Sequence, residues 1–156
     1  MVINNNFQKL NEETLRALEQ VWAFGLPKDY RSFLLKYNGG RAEKEYFKFK
    51  GTSNGSAIHS FLGIVPERNI NLLTHLVEYS DRIPKNMFPI AYDVFGNLIC
   101  ISVKGQDRGK VYFWDHEMEA DTDQGEVPDY SNLTLIADSF DEFIANLRDE
   151  EELDLE

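Results

Sequence analysis

The stretch WDHE, residues 114–117, is the candidate in this sequence for side chains that perform chemistry. Asp115, His116 and Glu117 are residue types that bind metal ions or act as general acids and bases. Adjacent residues of a strand point to opposite faces, however, so the three side chains cannot readily converge on one atom. The other histidines, His59 and His75, are not paired with each other at metal-site spacing. We therefore predict a structural or hydrogen-bonding role for His116, with no metal and no cofactor.

Other motifs of catalysis are missing from the sequence. The glycines of NGG follow a predicted helix instead of opening one, and GTSNGS lacks the lysine of a phosphate-binding loop. Carboxylates alternate with other residues in the acidic 115–129 segment. The segment nevertheless lacks the full twelve-residue calcium-binding pattern, which has glycine at its sixth position and a glutamate at its end. The single cysteine, Cys100, lies in the apolar run LICISV and is expected to be buried. We therefore predict that the chain is not an enzyme.

Acidic residues strongly outnumber basic ones. The 156 residues include 16 Lys and Arg against 27 Asp and Glu, which gives a net charge of -11. Such a chain repels the phosphate backbone of nucleic acids and the surface of an anionic membrane, so we expect direct binding to neither. The sequence has no apolar run of about 18 residues and no secretory signal at its N-terminus. A lone cysteine also fits a reducing compartment, and we predict a cytoplasmic protein.

The negative charge is concentrated in one part of the chain. From Val111 through Leu147 the sequence contains no Lys or Arg. The segment that follows WDHE is too polar to be core, and loops held by a rigid sheet are common binding sites. We predict that it meets a positive patch on a partner, with a tyrosine as a possible aromatic anchor. The alternative is a mobile, solvated loop. The predicted partner-binding residues are Glu117, Glu119, Asp121, Asp123, Glu126 and Tyr130.

Two amphipathic helices are predicted near the N-terminus. Asn11 is a suitable cap for the first helix, and Gly25 is expected to end it. Pro27 fits the first turn of the second helix, where its missing N–H has no cost. Asn38 and Gly39 are expected to end that helix, because glycine enters the left-handed conformation without a Cβ clash.

The rest of the chain mixes strands and helices. Short strands are predicted at 46–49 and 58–62, followed by a helix from about Asn69 to Tyr79. Three strands joined by hairpin loops are then predicted at MFPIAYD, LICISV and KVYFW. The first of these loops contains Gly96. A last strand and a helix opened by Ser139 follow.

This order of elements predicts an α+β fold. We expect a mostly antiparallel mixed sheet of about five to six strands flanked by helices. Residues 1–148 are predicted to form a single domain, and residues 149–156 are predicted to form a disordered acidic tail.

Four motifs, in this order, resemble the SUKH superfamily: LPKDYRSFLLKYNGG, FPIAYDVFGNLICISVKG, GKVYFWDHE and IADSFDEFI. Almost all of the matching residues are helix-stripe, cap or turn residues, so we interpret them as scaffold and not as binding residues. They include Leu26, Pro27, Tyr30, Phe33, Asn38, Gly39, Gly96, Trp114, His116, Ser139 and Phe140. The resemblance implies a mixed α+β sheet flanked by helices, in agreement with the fold predicted above.

The resemblance also implies a function. Bacterial members of the superfamily are largely immunity proteins, which bind and neutralise a cognate secreted toxin domain, often a basic nuclease. An acidic chain suits a basic toxin domain, because opposite charges speed association. The alternative is a regulatory protein–protein interaction module, or adaptor, of the Smi/Knr cell-wall-regulator type. In either case we expect a non-catalytic monomer or weak dimer.

Overall fold

The N-terminal part of the chain forms a short strand and two helices. The computed structural model describes residues 1–4 and 6–155. Strand β1 is Val2–Asn4, helix α1 is Glu12–Trp22 and helix α2 is Lys28–Tyr37. Asn11 caps α1 as predicted, since its side chain accepts the Thr14 N–H. Helix α1 ends before Gly25, because Ala23 takes the left-handed conformation with φ of 65°.

Helix α2 ends at Asn38 and Gly39, as the sequence predicts. Both residues have positive φ, at 52° and 88°. A Cβ on Gly39 would lie 3.0 Å from the Gly63 backbone nitrogen, so the chain approaches too closely for a side chain. The buried Asn38 amide donates to the Gln8 and Ile64 carbonyl oxygens and accepts the Ile64 N–H. The end of α2 thereby fixes two distant segments of the chain.

Short strands and a third helix occupy the middle of the chain. They are β2 (Arg41–Ala42), β3 (Tyr46–Lys48), β4 (Gly55–Ala57), β5 (Ser60–Phe61) and α3 (Leu72–Tyr79). Strand β2 pairs with β1, and β3 pairs with β4 in a separate hairpin. Helix α3 begins later than predicted, because residues 68–70 form a 3-10 turn and Asn71 caps the helix through the Thr74 N–H.

A five-stranded antiparallel sheet forms the centre of the fold. Its remaining strands are β6 (Met87–Tyr92), β7 (Leu98–Ser102), β8 (Val111–Trp114) and β9 (Leu133–Ala137), and the spatial order is β5-β6-β7-β8-β9. Every residue of β7 is buried, so both faces of the central strand are covered, as the apolar run LICISV predicts. The α+β fold class and the antiparallel sheet are therefore confirmed.

The two faces of the sheet bury different side chains. Ile99 and Ile101 belong to the larger cluster, which includes the apolar stripes of α1, α2 and α4. Leu98, Cys100 and Trp114 lie in a smaller cluster on the opposite face. Burial raises the pKa of the Cys100 thiol, which removes the thiolate character that a reactive cysteine needs.

The C-terminal part ends in two short helices. Helix α4 (Phe140–Ala145) is capped by Ser139, whose side chain accepts the Glu142 N–H. The residues predicted to be a disordered tail contain a fifth helix, α5 (Glu150–Asp154). Asp149 and Glu152 cap it reciprocally, and Lys44 lies 2.6 Å from the Glu152 carboxylate. Glu156 lies outside the described residues. No helix in the described part of the chain has the length and apolar character needed to cross a membrane.

Candidate binding face

The segment that follows β8, residues 115–132, is called the acidic loop below. It contains three 3-10 turns, at 116–118, 122–124 and 130–132. The Asp115 N–H donates to the Asn132 carbonyl at 3.1 Å, and the Asn132 amide donates back to the Asp115 carbonyl at 2.9 Å. The two ends of the loop are therefore joined beside β8 and β9, which gives the loop a defined base on the sheet.

Glu119 is bound within the chain. The Arg82 Nε and Nη2 donate to its two carboxylate oxygens at 3.0 and 2.9 Å, in the planar two-bond geometry that suits arginine. The guanidinium also lies 4.5 Å from the centroid of the Tyr79 ring. The Glu119 carboxylate, by accepting these hydrogen bonds, raises the pKa of Arg82. This predicted partner-binding residue therefore connects the acidic loop to the end of α3.

Tyr130 connects the other end of the acidic loop to the sheet. Its hydroxyl donates to the Asp107 carboxylate at 2.6 Å and accepts from the Asn86 amide at 2.6 Å. The same carboxylate also accepts hydrogen bonds from Ser102 and Tyr112. Burial alone would raise the pKa of Asp107, but these hydroxyl donors outweigh burial and hold it below its ordinary value. The predicted aromatic anchor is thus a structural contact in the free chain.

The other predicted binding residues face the solvent. Glu117, Asp121 and Asp123 are exposed, and none of the hydrogen bonds and ion pairs described for residues 1–4 and 6–155 engages their carboxylates. Glu126 accepts the Asp121 N–H at 2.6 Å, a contact that closes the tip of the loop. The six predicted residues therefore fall into two groups. Glu119, Glu126 and Tyr130 hold the loop in place, whereas the exposed carboxylates of Glu117, Asp121 and Asp123 have none of the described contacts.

His116 packs against the turn between β6 and β7. A Cβ on Gly96 would lie 3.2 Å from its Nε2, and Gly96 has a positive φ of 88°. The His116 backbone N–H donates to the Asn97 side-chain oxygen. Asp115 and Glu117 do not converge with His116 on a metal position, and the described residues contain no group of three or more His, Cys, Asp or Glu that could hold a metal ion.

An open cleft of about 490 Å³ lies between α3 and the 93–97 turn. Three of its rings are stacked in parallel. The Tyr92 ring lies 5.3 Å from the His59 ring and 5.7 Å from the His75 ring, with interplanar angles of 17° and 15°. We call this space the histidine cleft. Sequence reasoning missed it, because its three rings come from separate segments that show no shared motif.

The 93–97 turn is fixed by a buried carboxylate. Asp93 accepts the Phe95 N–H at 2.8 Å and the Asn97 N–H at 2.9 Å through one oxygen, and the Asn97 amide through the other. The turn presents exposed Val94 and Phe95 to the solvent. Because His116 contacts this turn, the rim of the histidine cleft continues directly into the acidic loop.

Comparisons with known proteins agree with this architecture. The model of the SMI1 / KNR4 family (SUKH-1) matches residues 9–146. The chain is also 35% identical to the SPbeta prophage-derived uncharacterized protein YokK of Bacillus subtilis (strain 168), in an alignment that covers 88% of this chain and 74% of that protein. The matched region contains the sheet, helices α1 to α4 and the acidic loop, and so the chain belongs to the SMI1/KNR4 family (SUKH-1) of the SUKH superfamily.

Proposed function

We propose that this chain is a non-catalytic immunity protein, which binds and neutralises a cognate secreted toxin domain inside the producing cell. Its membership of the SUKH superfamily supports this class of function, because bacterial members are largely immunity proteins. The prophage origin of the similar protein YokK fits a gene carried beside a toxin gene. We propose a cytoplasmic monomer or weak dimer.

The observation that carries the proposal is the acidic loop, fixed at its base and bearing unpaired carboxylates. Glu117, Asp121 and Asp123 project from a segment that Arg82 and Asp107 hold in place. A negative surface that is already ordered before binding loses little conformational entropy when a partner docks. Its charge also attracts a basic domain and repels acidic competitors. The proposed partner is therefore a basic toxin domain, such as a nuclease.

Expression of the proteins encoded by the open reading frames on either side of this gene, each with and without this chain, tests the proposal by searching for the toxin domain. The toxin domain alone should stop growth, and co-expression should restore it. The purified proteins should form a 1:1 complex in which toxin activity is lost. A variant with Leu34→Asp in the core provides the control for folding, since Leu34 is buried and the variant should neither fold nor protect.

The second candidate function is a regulatory adaptor of the cell-wall-regulator type. The same family membership supports it, because the family takes its description from SMI1 and KNR4. An adaptor would bind its partner without abolishing the partner's activity. Binding without inhibition in the assay above would therefore favour the adaptor over the immunity protein.

A further inference from the structure

The wall of the histidine cleft is ordered before anything binds. The Tyr92 ring stacks on both His59 and His75, and the His75 ring in turn stacks on Tyr79 at 6.0 Å. Side chains held in one rotamer by their neighbours lose little freedom on binding. Rigid aromatic residues around a concave site are also the usual centres of binding energy in protein interfaces.

An exposed apolar side chain stands at the rim of this wall. Val94 lines the cleft, yet 67% of its surface is exposed. The buried Asp93 carboxylate fixes the backbone of its turn through three hydrogen bonds. An isolated exposed valine needs no explanation. A valine held on a rigid turn beside a concave site is instead placed to be covered by a partner.

The polar groups of the cleft indicate the chemistry that it would accept. The His75 Nδ1 lies 2.9 Å from the Asn71 carbonyl oxygen, which can only accept, so Nδ1 is the donor in this contact and a neutral ring would present Nε2 as an acceptor. Glu78 adds a carboxylate in the last turn of α3, only loosely paired with Arg82 at 3.9 Å. Arg68 lies before α3, towards the other end of the cleft. A protein segment would fit this pattern if its Lys, Arg or backbone N–H donors reached His75 and Glu78. The same segment would also need an acceptor for Arg68.

We propose that the histidine cleft receives a projecting segment of the basic toxin domain while the adjoining acidic loop contacts the surface around that segment. This inference rests on the proposed function and names the site at which the partner enters. The acidic loop, the 93–97 turn and the cleft form one continuous face, because His116 contacts Gly96 and Asn97. The exposed carboxylates of the adjoining acidic loop, together with Glu78 in the cleft, favour a donor-rich, basic segment of protein as the occupant.

The test measures association and dissociation rates of the toxin domain that the co-expression assay above identifies, using Thr74→Trp and Val94→Glu. Thr74→Trp fills the cleft from α3, since the Thr74 side chain lines it. Val94→Glu removes the apolar contact while adding a negative charge. If long-range attraction between a basic partner and an acidic surface were the only effect, the added negative charge of Val94→Glu would raise the association rate. Docking in the cleft instead predicts that each variant dissociates roughly tenfold faster or more.

Val21→Glu is the matched control. Val21 is 81% exposed on α1 and does not line the cleft, so the same substitution there should leave both rates close to those of the unsubstituted chain. All variants should show the unfolding transition of the unsubstituted protein. Unchanged dissociation of both cleft variants would overturn this inference and leave the proposed function in place. Failure of the unsubstituted chain to bind the toxin domain would overturn the proposed function and this inference with it.

Discussion

The guanidinium of Arg82 and the carboxylate of Glu119 meet through two hydrogen bonds, of 3.0 and 2.9 Å. They are 37 residues apart in the sequence, and their contact joins the end of α3 to the acidic loop. Because the Arg82 guanidinium also covers the Tyr79 ring, the pair links the loop to the wall of the histidine cleft. The two parts of the proposed binding face are therefore mechanically connected.

Loss of this ion pair should loosen the acidic loop. We expect Glu119→Gln to lower the free energy of unfolding by about 1–2 kcal/mol, since the pair is partly shielded and doubly hydrogen-bonded. Amide hydrogen exchange at residues 117–126 should increase. Lys85→Gln is the control, because Lys85 and Asp81 form a pair with side chains 88% and 89% exposed, which should contribute little. Equal effects of the two substitutions would contradict the special role of Arg82 and Glu119.

Charge reversal in the acidic loop should slow partner association. The variant to use is Glu117→Lys, Asp121→Lys and Asp123→Lys combined, because reversal of Glu119 would also break its contact with Arg82. At low salt we expect association with the toxin domain to slow by about tenfold or more and to lose much of its salt dependence.

The matched control for that variant changes the charge equally elsewhere. Glu13, Asp141 and Glu151 are exposed on α1, α4 and α5, and their combined reversal to lysine also shifts the net charge by +6. If this control slowed association as much, net charge alone would be responsible, and the acidic loop would not be the contact surface.

Gly39 should be much less tolerant of a side chain than Gly51. Both have positive φ, but a Cβ on Gly51 has open space while one on Gly39 meets Gly63 backbone at 3.0 Å. We expect Gly51→Ala to cost about 1 kcal/mol of stability from backbone strain alone, and Gly39→Ala about 2–4 kcal/mol from strain plus crowding. Urea unfolding measures both values. Similar costs would show that the contact with Gly63 relaxes freely.

The Asp107 carboxylate should make stability depend on pH. The pKa of Asp107 is lowered in the folded state. Its contribution to the free energy of unfolding is therefore complete above the ordinary pKa of 3.8, and it is lost as the pH falls through the folded pKa. At pH 7 we expect Asp107→Asn to be less stable by about 1–3 kcal/mol, since three hydroxyl groups lose a charged acceptor. The difference from the unsubstituted chain should shrink below about pH 4. A difference that stays constant down to pH 3 would contradict this account.

Removal of the Tyr30 hydroxyl should leave the stability of the protein unchanged or raise it. The side chain is buried between Phe88 and Phe140, and its oxygen has no hydrogen-bond partner among the described residues. A buried polar group without a partner costs about 1–3 kcal/mol, so Tyr30→Phe should be neutral or more stable. Tyr112→Phe is the contrasting change, because it removes a bond to Asp107 and should destabilise. The thermal unfolding midpoint should therefore stay unchanged or rise for Tyr30→Phe and fall for Tyr112→Phe, and a lower midpoint for Tyr30→Phe would contradict this account.

Local rules predicted most of the helix caps but not the face that the elements build. Asn11, Ser139 and Gly39 act at helix ends as their residue types predict, because capping depends only on neighbours in the chain. The stacking of His59 and His75 on Tyr92 could not be predicted, since it depends on how β5, α3 and β6 come together.

Two other differences between prediction and structure concern the acidic loop and the C-terminal tail. The exposed acids of the loop followed from polarity alone, whereas the contact of Glu119 with Arg82 required knowledge of where α3 ends. The fifth helix has a local pattern, since Asp149 and Glu152 have the spacing of a capping box, but the disordered tail was predicted from its acidic composition alone.

The order of the central sheet has a consequence for how the chain folds. Strands β6 to β9 pair with their neighbours along the chain, so residues 87–137 can assemble by successive local hairpins. Helices α1 and α2 are synthesised before strands β6 to β9, which cover their apolar sides. We expect newly made chains to expose those helices until the meander is complete, and co-translational chaperones would find their targets in the first 40 residues.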